Sequence, residues 1–313
     1  MNNSRREFLA KLGLATAGLG MSSLIPVFAG QPKPKVFFEI SLAEWSLHNT
    51  LRKGLLDNLH FPAKAKNDFG ISAVEYVDQF FRDKAEDKAY LTELKKRSDD
   101  LGVRNVLIMV DTGGPLSDLD KAKRKVAVES HYKWIDAAKF LGCHSIRVNL
   151  RGGGNADEMA QASVDGLGRL SEYGAKAGIG VIVENHGGFS SDGKWLVGVM
   201  KQVNNPYCGT LPDFDNFCVE RSGNSCTRQY DRYLGVHEMT PYAKGFSAKS
   251  RNFDAQGNET TVDYVRMLRM IKNEAADVFK GYIGIEYSGT VLSEDEGIRA
   301  TKLLMDRVGQ QIS

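Results

Sequence analysis

The chain has 313 residues, 42% of them hydrophobic and 26% charged, which is the composition of a globular protein with ample length for a packed core. Its formal net charge of +2 at pH 7 comes with no stretch that concentrates positive residues, so nothing electrostatic argues for a nucleic-acid partner. Short clusters such as Lys95-Lys96-Arg97 and Lys121 to Lys125 fall in helical patterns and read as solvated faces.

At the start of the chain, Ser4-Arg5-Arg6-Glu7-Phe8-Leu9-Ala10-Lys11 pairs two arginines with an apolar step and a lysine. A weakly apolar run from Leu12 to Val27 follows, and Val27-Phe28-Ala29 supplies a small-x-small processing site. This pattern reads as a twin-arginine export signal cleaved after Ala29. It divides the chain into residues 1–29 and one mature domain, 30–313, and predicts a periplasmic or otherwise exported protein. The run is short and rich in Gly, Ala and Ser, so no stable membrane insertion is expected after processing.

Through the mature chain, short β-branched runs alternate with longer helical patterns. Strands are predicted at Val36–Leu42, Ala73–Val77, Val103–Val110, Ser145–Leu150, Gly180–Val183, Gly209–Leu211, Lys244–Ala248 and Tyr282–Ile285. Apolar residues at three- and four-residue spacing predict helices over Tyr90–Leu101, Lys121–Leu141, Met159–Ala177 and Val262–Phe279. Gly102, Gly142 and Gly178 fit helix stops. Strands alternating with helices in this way predict an α/β protein built as a single-domain (β/α)8 TIM barrel. An open doubly wound sheet would carry a glycine-rich turn after its first strand, whereas this chain reads Ala43-Glu44-Trp45-Ser46. Gly152-Gly153-Gly154 lacks the Lys-Ser/Thr of a phosphate loop and reads as a flexible connection.

Of the four cysteines, Cys143 and Cys208 fall in strand-like segments and read as core, while Cys218 and Cys226 flank a Gly/Asn/Ser loop. The second pair can join in an oxidising compartment.

In a barrel of this kind the active site lies at the carboxyl ends of the strands. The fifth predicted strand runs into Glu184-Asn185-His186, the sixth into Pro212-Asp213-Phe214-Asp215-Asn216-Phe217, and the eighth into Glu286-Tyr287. Glu184, Asp213 and Glu286 thus stand at three strand ends, an oxygen-rich set that suits Mn²⁺ or Mg²⁺, with Zn²⁺ if a histidine joins. Asp215 competes for the sixth-strand position, but Asp213 comes first after the apolar segment. Trp45 and His48 follow the first strand, where an aromatic ring can stack on a sugar or simply pack. Glu75 lies within the second strand, and Arg147 and Asn149 share one side of the fourth. Arg151, Trp195 and His237 are weaker candidates.

The Glu-Asn-His after the fifth strand, the Pro-Asp-Phe-x-Asn-Phe after the sixth and the Gly-Ile-Glu-Tyr of the eighth resemble the xylose isomerase-like barrel superfamily, which includes sugar-phosphate isomerases/epimerases and ketose 3-epimerases. The resemblance spans roughly residues 34 to 310. It implies a divalent metal bound by Glu, Asp, His and Glu on successive strands, with the two glutamates doubling as acid and base. By position, Glu184, Asp213 and Glu286 take the carboxylate roles. The chain departs from the pattern at the seventh strand: the family's His-x-Lys-Asp becomes Ser247-Ala248-Lys249-Ser250. His186, a water or the charge of Lys249 remain as substitutes for the missing ligand. Asn216 stands where relatives often carry a histidine.

The implied chemistry is sugar isomerisation or epimerisation (class EC 5) by metal-assisted proton transfer through an enediolate, with Glu184 and Glu286 catalytic. Trp45, His48, Asn149, Asn216 and Lys249 are the expected substrate contacts. Export, and the lack of a phosphate cradle in the sequence, point to a non-phosphorylated sugar or keto-sugar as the small-molecule partner. The alternatives are a 3-keto-glycoside lyase or deglycosidase, which uses the same α-proton abstraction, and a non-catalytic sugar-binding barrel. Homo-oligomer formation stays open.

Overall fold

The computed structural model describes residues 36–275, 279 and 281–313, so the candidate export signal at residues 1–29 lies outside the described residues. Strands β1 (Glu39–Ala43), β2 (Ala73–Val77), β3 (Arg104–Val110), β4 (Ser145–Val148), β5 (Gly180–Glu184) and β6 (Cys208–Leu211) come first. A hairpin, β7 (Cys218–Ser222) and β8 (Ser225–Gln229), precedes β9 (Phe246–Ser250) and β10 (Tyr282–Tyr287). The helices are α1 (His48–Arg52), α2 (Phe61–Phe69), α3 (Lys88–Asp100), α4 (Lys121–Leu141), α5 (Ala156–Ala177), α6 (Gly193–Val203), α7 (Arg232–Met239), α8 (Tyr264–Ala275) and α9 (Glu294–Ile312). Among the described residues, no helix is long and apolar enough to cross a membrane.

Eight strands pair in the order β6-β5-β4-β3-β2-β1-β10-β9, every pair parallel. The remaining seam, between β6 and β9, is drawn together by the isolated parallel bridges Thr210–Ala243 and Asp213–Ser247. There Lys244 N donates to Thr210 O at 3.0 Å, Ser247 N to Pro212 O at 2.9 Å and Phe214 N to Ser247 O at 3.0 Å. The molecule is a nearly closed (β/α)8 barrel.

The helix boundaries follow from side-chain chemistry. Asp87, Asp120 and Asp192 accept backbone N–H groups at the starts of α3, α4 and α6. Asn155 with Glu158, and Ser293 with Glu296, form reciprocal capping boxes on α5 and α9. A cap of this kind contributes about 1 kcal/mol. Gly142 and Gly178 end α4 and α5 at φ 81° and 76°, left-handed values that cost glycine nothing.

Two layers of apolar side chains result. An outer core between strands and helices includes Trp134, Phe61, Tyr76, Phe214 and Phe246, all essentially without exposure. Inside the barrel, Ala43, Ala73, Val77, Val106, Leu107, Met109, Ile182 and Leu211 form a separate cluster. Alternation along each strand sorts the two sets. On β9 and β10, Phe246, Ala248, Ile283 and Ile285 join the outer core, which leaves Ser247, Lys249, Gly284 and Glu286 for the interior. The barrel interior is therefore apolar in part and densely polar around Glu75, Arg147, Glu184, Asp213, Lys249 and Glu286, all buried.

The predicted strands all occur, with shifted bounds: β9 runs Phe246–Ser250 rather than Lys244–Ala248, β4 ends at Val148 rather than Leu150, and β1 starts at Glu39 rather than Val36. Val36 and Phe38 instead pack against α9, where a Cβ on Gly309 would lie 3.0 Å from Val36 Cγ1 and 3.4 Å from Phe38 Cζ. The last predicted helix is described as Tyr264–Ala275. The β7–β8 hairpin is an addition that the strand pattern does not predict. Cys218 and Cys226 are disulfide-bonded across it, with Cα atoms 5.8 Å apart, while Cys143 and Cys208 are free and buried.

Candidate active site

The carboxyl ends of β5, β6, β9 and β10 bring the acids together. Val181 and Val183 fix β5 from outside, as Ile283 and Ile285 fix β10, so alternation turns Glu184 and Glu286 inward. Asp213 follows β6 across Pro212 and is held by Asn185. The Asn185 Oδ1 accepts Asp213 N–H at 2.7 Å, and its Nδ2 donates to the carbonyls of Asp213 at 3.1 Å and Asn216 at 3.2 Å. As a result, Glu184, Asp213 and Glu286 each offer an oxygen to one buried point, with these atoms within 4.8 Å of one another.

β9 supplies the partners. Lys249 pairs in register with Glu286, and Ser247 with Gly284. Lys249 Nζ donates to Glu286 Oε1 and stands 3.5 Å from Asp213 Oδ2. Ser247 Oγ lies 2.8 Å from Asp213 Oδ2 and 3.0 Å from Glu286 Oε2, although its single proton serves one at a time. Asp213 Oδ1 accepts the backbone N–H groups of Asp215 and Asn216 at 2.8 and 2.9 Å.

On the other side, Asn216 Nδ2 donates to Glu184 Oε1 at 2.9 Å. Arg147 Nε faces Glu184 Oε2 at 2.8 Å but out of line for a hydrogen bond, so that oxygen accepts none. The guanidinium also donates from Nη1 to Asp111 Oδ1 at 2.6 Å. Asn149 Nδ2 and Gln79 Nε2 complete the shell of Asp111, each at 2.8 Å.

These surroundings push the acids apart. Burial raises Glu184 to about 7 against the pull of Arg147, and raises Asp213 to about 7 against that of Lys249. Burial acts on Glu286 too, but the Lys249 ammonium bonded to it outweighs the desolvation and holds the carboxyl below its ordinary value. Burial alone would lower Lys249; the carboxylates of Asp213 and Glu286 reverse the sign. Asp111 is likewise kept well below the ordinary carboxylate range by Arg147, despite its burial.

Of the residues expected from sequence, Glu184, Asp213, Glu286, Asn216 and Lys249 meet at one point. Asn149 meets them through Asp111. His186 is exposed at the mouth and is not a member of the carboxylate cluster. Although the residue is exposed, the protein crowded around the ring desolvates it and, with the Arg147 and Lys249 charges, pushes its imidazole down to about 4. Trp45 packs on the interior cluster, and its ring is stacked on His48 at 4.9 Å. Asp215 is taken by Arg232 at 2.7 Å and Arg251 at 2.8 Å, which removes it from competition with Asp213. His237 pairs with Glu274 on the flank, and Trp195 donates to the Ala156 carbonyl at α5.

Sequence reasoning missed Asp111 and undervalued Arg147. Asp111 directly follows the apolar run of β3, the same signal that marks Glu184. Glu75 does face inward: its Oε1 accepts from Ser41 Oγ at 2.5 Å, its Oε2 is buried without a partner, and burial raises it to about 7.

The donor set fits a hard divalent ion. Three carboxylates converge, and Glu184 Oε2 is a buried acceptor with no aligned donor. Among the described residues no imidazole completes the group, so the set does not single out one ion.

Comparison with known proteins agrees with the architecture. The family model described as xylose isomerase-like TIM barrel matches residues 63–307. A structure of the IolI protein with a bound zinc atom superposes with a TM-score of 0.67 at 12% identity, covering 88% of this chain and 99% of that one. D-psicose 3-epimerase, determined in the presence of D-fructose, gives 0.66 at 13% identity, covering 87% and 100%. The apo form of 3-keto-D-glucoside 4-epimerase from E. coli gives 0.62 at 12% identity, covering 86% and 99%. No curated protein sequence matches this chain. At such identities the likenesses establish the fold, and the match over most of the chain establishes the kinship: the protein belongs to the xylose isomerase-like TIM barrel family.

Proposed function

We propose that the protein is a sugar isomerase or epimerase that moves a proton on a non-phosphorylated sugar or keto-sugar, with Glu184 and Glu286 as the acid/base pair. The carrying observation is that these two glutamates, from β5 and β10, converge with Asp213 at one buried point of the barrel's carboxyl end in unequal environments. One sits against a lysine ammonium and the other against burial and a misaligned guanidinium. Pairs driven apart in this way suit one group to take a proton while the other gives one.

Glu184, Asp213 and Glu286 would hold a divalent ion, and such an ion supplies positive charge that stabilises an enediolate. Around it, Asn216 steadies Glu184, Asn185 fixes the Asp213 backbone, and Ser247 ties Asp213 to Glu286. The Trp45 ring, stacked on His48 and with the Arg52 guanidinium 4.9 Å from its centroid, is a half-buried aromatic group just past the carboxyl end of β1. The cations nearest the acids are already paired, Lys249 with Glu286, Arg147 with Asp111, and Arg232 and Arg251 with Asp215, which supports a neutral substrate over a phosphorylated one. The epimerase activities named for structural neighbours support the same class. The Cys218–Cys226 disulfide supports an exported protein, in line with the arginine pair near the N-terminus.

The test is incubation with free ketoses and 3-keto-glycosides in D₂O, followed by NMR. Deuterium at the carbon next to the carbonyl, lost in Glu286→Gln, is the expected result. Release of an aglycone would move the assignment to a lyase. Binding without exchange by any of these sugars would overturn the enzymatic reading.

A further inference from the structure

We propose that Lys249 is a built-in competitor for the cation site: its ammonium and a divalent ion claim the same oxygens of Glu286 and Asp213, so that metal is held weakly and its binding drives Lys249 off Glu286. The inference rests on the reading of Glu184, Asp213 and Glu286 as a cation site. It concerns how this chain tunes that site.

The oxygens of the cluster are nearly all engaged from within. Glu286 gives Oε1 to Lys249 and Oε2 to Ser247. Asp213 Oδ2 shares that one Ser247 proton in alternation with Glu286 and has Lys249 at 3.5 Å, while Oδ1 takes two backbone N–H groups. Glu184 gives Oε1 to Asn216, and only its Oε2 is without an aligned donor. An ion entering among three such acids therefore has to replace protein donors, and Lys249 is the one that carries charge onto two of them.

The geometry makes Lys249 hard to ignore. The residue is 4% exposed, its backbone is paired in register with Glu286, and its carbonyl accepts from the buried Tyr264 hydroxyl at 2.9 Å, so the base of the side chain is fixed. An ammonium and a divalent ion packed against the same carboxylate repel each other in a poorly screened interior. Ser247 adds no compensating ligand, because a neutral hydroxyl is a weak donor to a cation beside the carboxylates it bridges.

The experiment measures Mn²⁺ binding to the purified protein without any sugar, by calorimetry and by the free-ion EPR signal. Wild type, Lys249→Met and Ser247→His are compared, with thermal melting as the check on folding. Lys249→Met is expected to bind Mn²⁺ at least tenfold more tightly than wild type and to gain more in melting temperature from it, since its Glu286 lacks a counter-ion. Ser247→His, which adds a nitrogen ligand, is expected to tighten binding as well. Should Lys249→Met fail to fold, amine-reactive footprinting of wild type serves: labelling of Lys249 rises when Mn²⁺ binds. Equal Mn²⁺ affinity in wild type and a folded Lys249→Met, or Lys249 labelling indifferent to bound Mn²⁺, overturns the competition alone. Absence of Mn²⁺ binding in every variant overturns the cation site beneath it too, and leaves the sugar-exchange assay to judge the activity separately.

Discussion

Gly284 occupies the one place on β10 where the Glu75 carboxylate forbids a side chain. A Cβ there would stand 2.5 Å from Glu75 Oε1 and 2.7 Å from Oε2. Gly284→Ala should therefore cost about 1–3 kcal/mol through overpacking. Removing the obstacle in Glu75→Ala/Gly284→Ala should return most of that cost relative to Glu75→Ala alone. Urea denaturation of the four proteins in this double-mutant cycle gives the coupling directly.

Glu75 also sets a pH dependence of stability. Its carboxyl is raised by burial from 4.5 to about 7 in the folded protein, so between these values the folded chain holds a proton that the unfolded chain has released. The contribution is present below pH 4.5 and is lost as pH rises towards 7, amounting to about 3 kcal/mol at the higher pH. Glu75→Gln should match wild type near pH 5 and exceed it near pH 8. Melting curves at the two pH values decide it, and a constant difference would show that Glu75 is ionised throughout.

Glu286→Gln and Glu184→Gln each keep the shape of the site and remove a proton carrier. Each should lower solvent deuterium exchange into the substrate by about 10²–10⁴-fold. Glu286→Gln also takes the bonded carboxylate from the buried Lys249 ammonium and should lower the melting temperature, so exchange is compared below the melting range of each variant. Equal turnover in either variant and wild type would exclude that residue from proton transfer.

How much of this was legible beforehand differs between the barrel and its site. The strands could be read because parallel strands covered on both faces are continuous apolar runs, and the helices because their glycine stops are local. Glu184 and Glu286 were legible for the same reason: each interrupts such a run at or next to its carboxyl end, unlike Glu75 in the middle of β2. Asp111 carried this signal as well, but only the three-dimensional meeting with Arg147 gives it a partner. His186 was attractive because residues two apart on an extended chain share a face, but β5 ends at Glu184, so that alternation does not carry on to His186, which is exposed. The hairpin announced itself in Gly223-Asn224, a two-residue turn signal whose Gly223 takes φ 57°, but its strands are mostly exposed and carry no apolar alternation.

Arg147 is the only cation placed against both Asp111 and Glu184 in the described ion pairs. Arg147→Met should destabilise the fold by about 2–4 kcal/mol, because it leaves the largely buried Asp111 charge, 12% exposed, without its counter-ion. Arg147→Lys should recover little, since an ammonium lacks the planar fork that reaches two acids. Chemical denaturation of both variants tests the point; a mild loss in Arg147→Met would mean that Gln79 and Asn149 suffice for Asp111.

The Cys218–Cys226 bond closes a short loop with a sequence separation of 8, for which the chain-entropy model gives about 2–3 kcal/mol. Cys226 is exposed, so mild reductant should reach the bond. Reduction, or Cys218→Ser/Cys226→Ser, should make the hairpin sensitive to trypsin at Arg221 and Arg228 while the barrel stays intact. Fragments read by mass spectrometry report it, and equal resistance of the reduced and oxidised forms would show that the ladder alone holds the hairpin.

The seam between β6 and β9 gives the barrel the character of a hoop fastened by a clasp. Seven of its joints are continuous ladders, but the eighth is fastened by isolated bridges, one of them joining Asp213 to Ser247. One residue of the proposed cation site, Asp213, is thus also part of the fastening. A ligand held at Asp213 would brace the seam as well, so opening of the hoop between β6 and β9 and loss of the site are expected to go together.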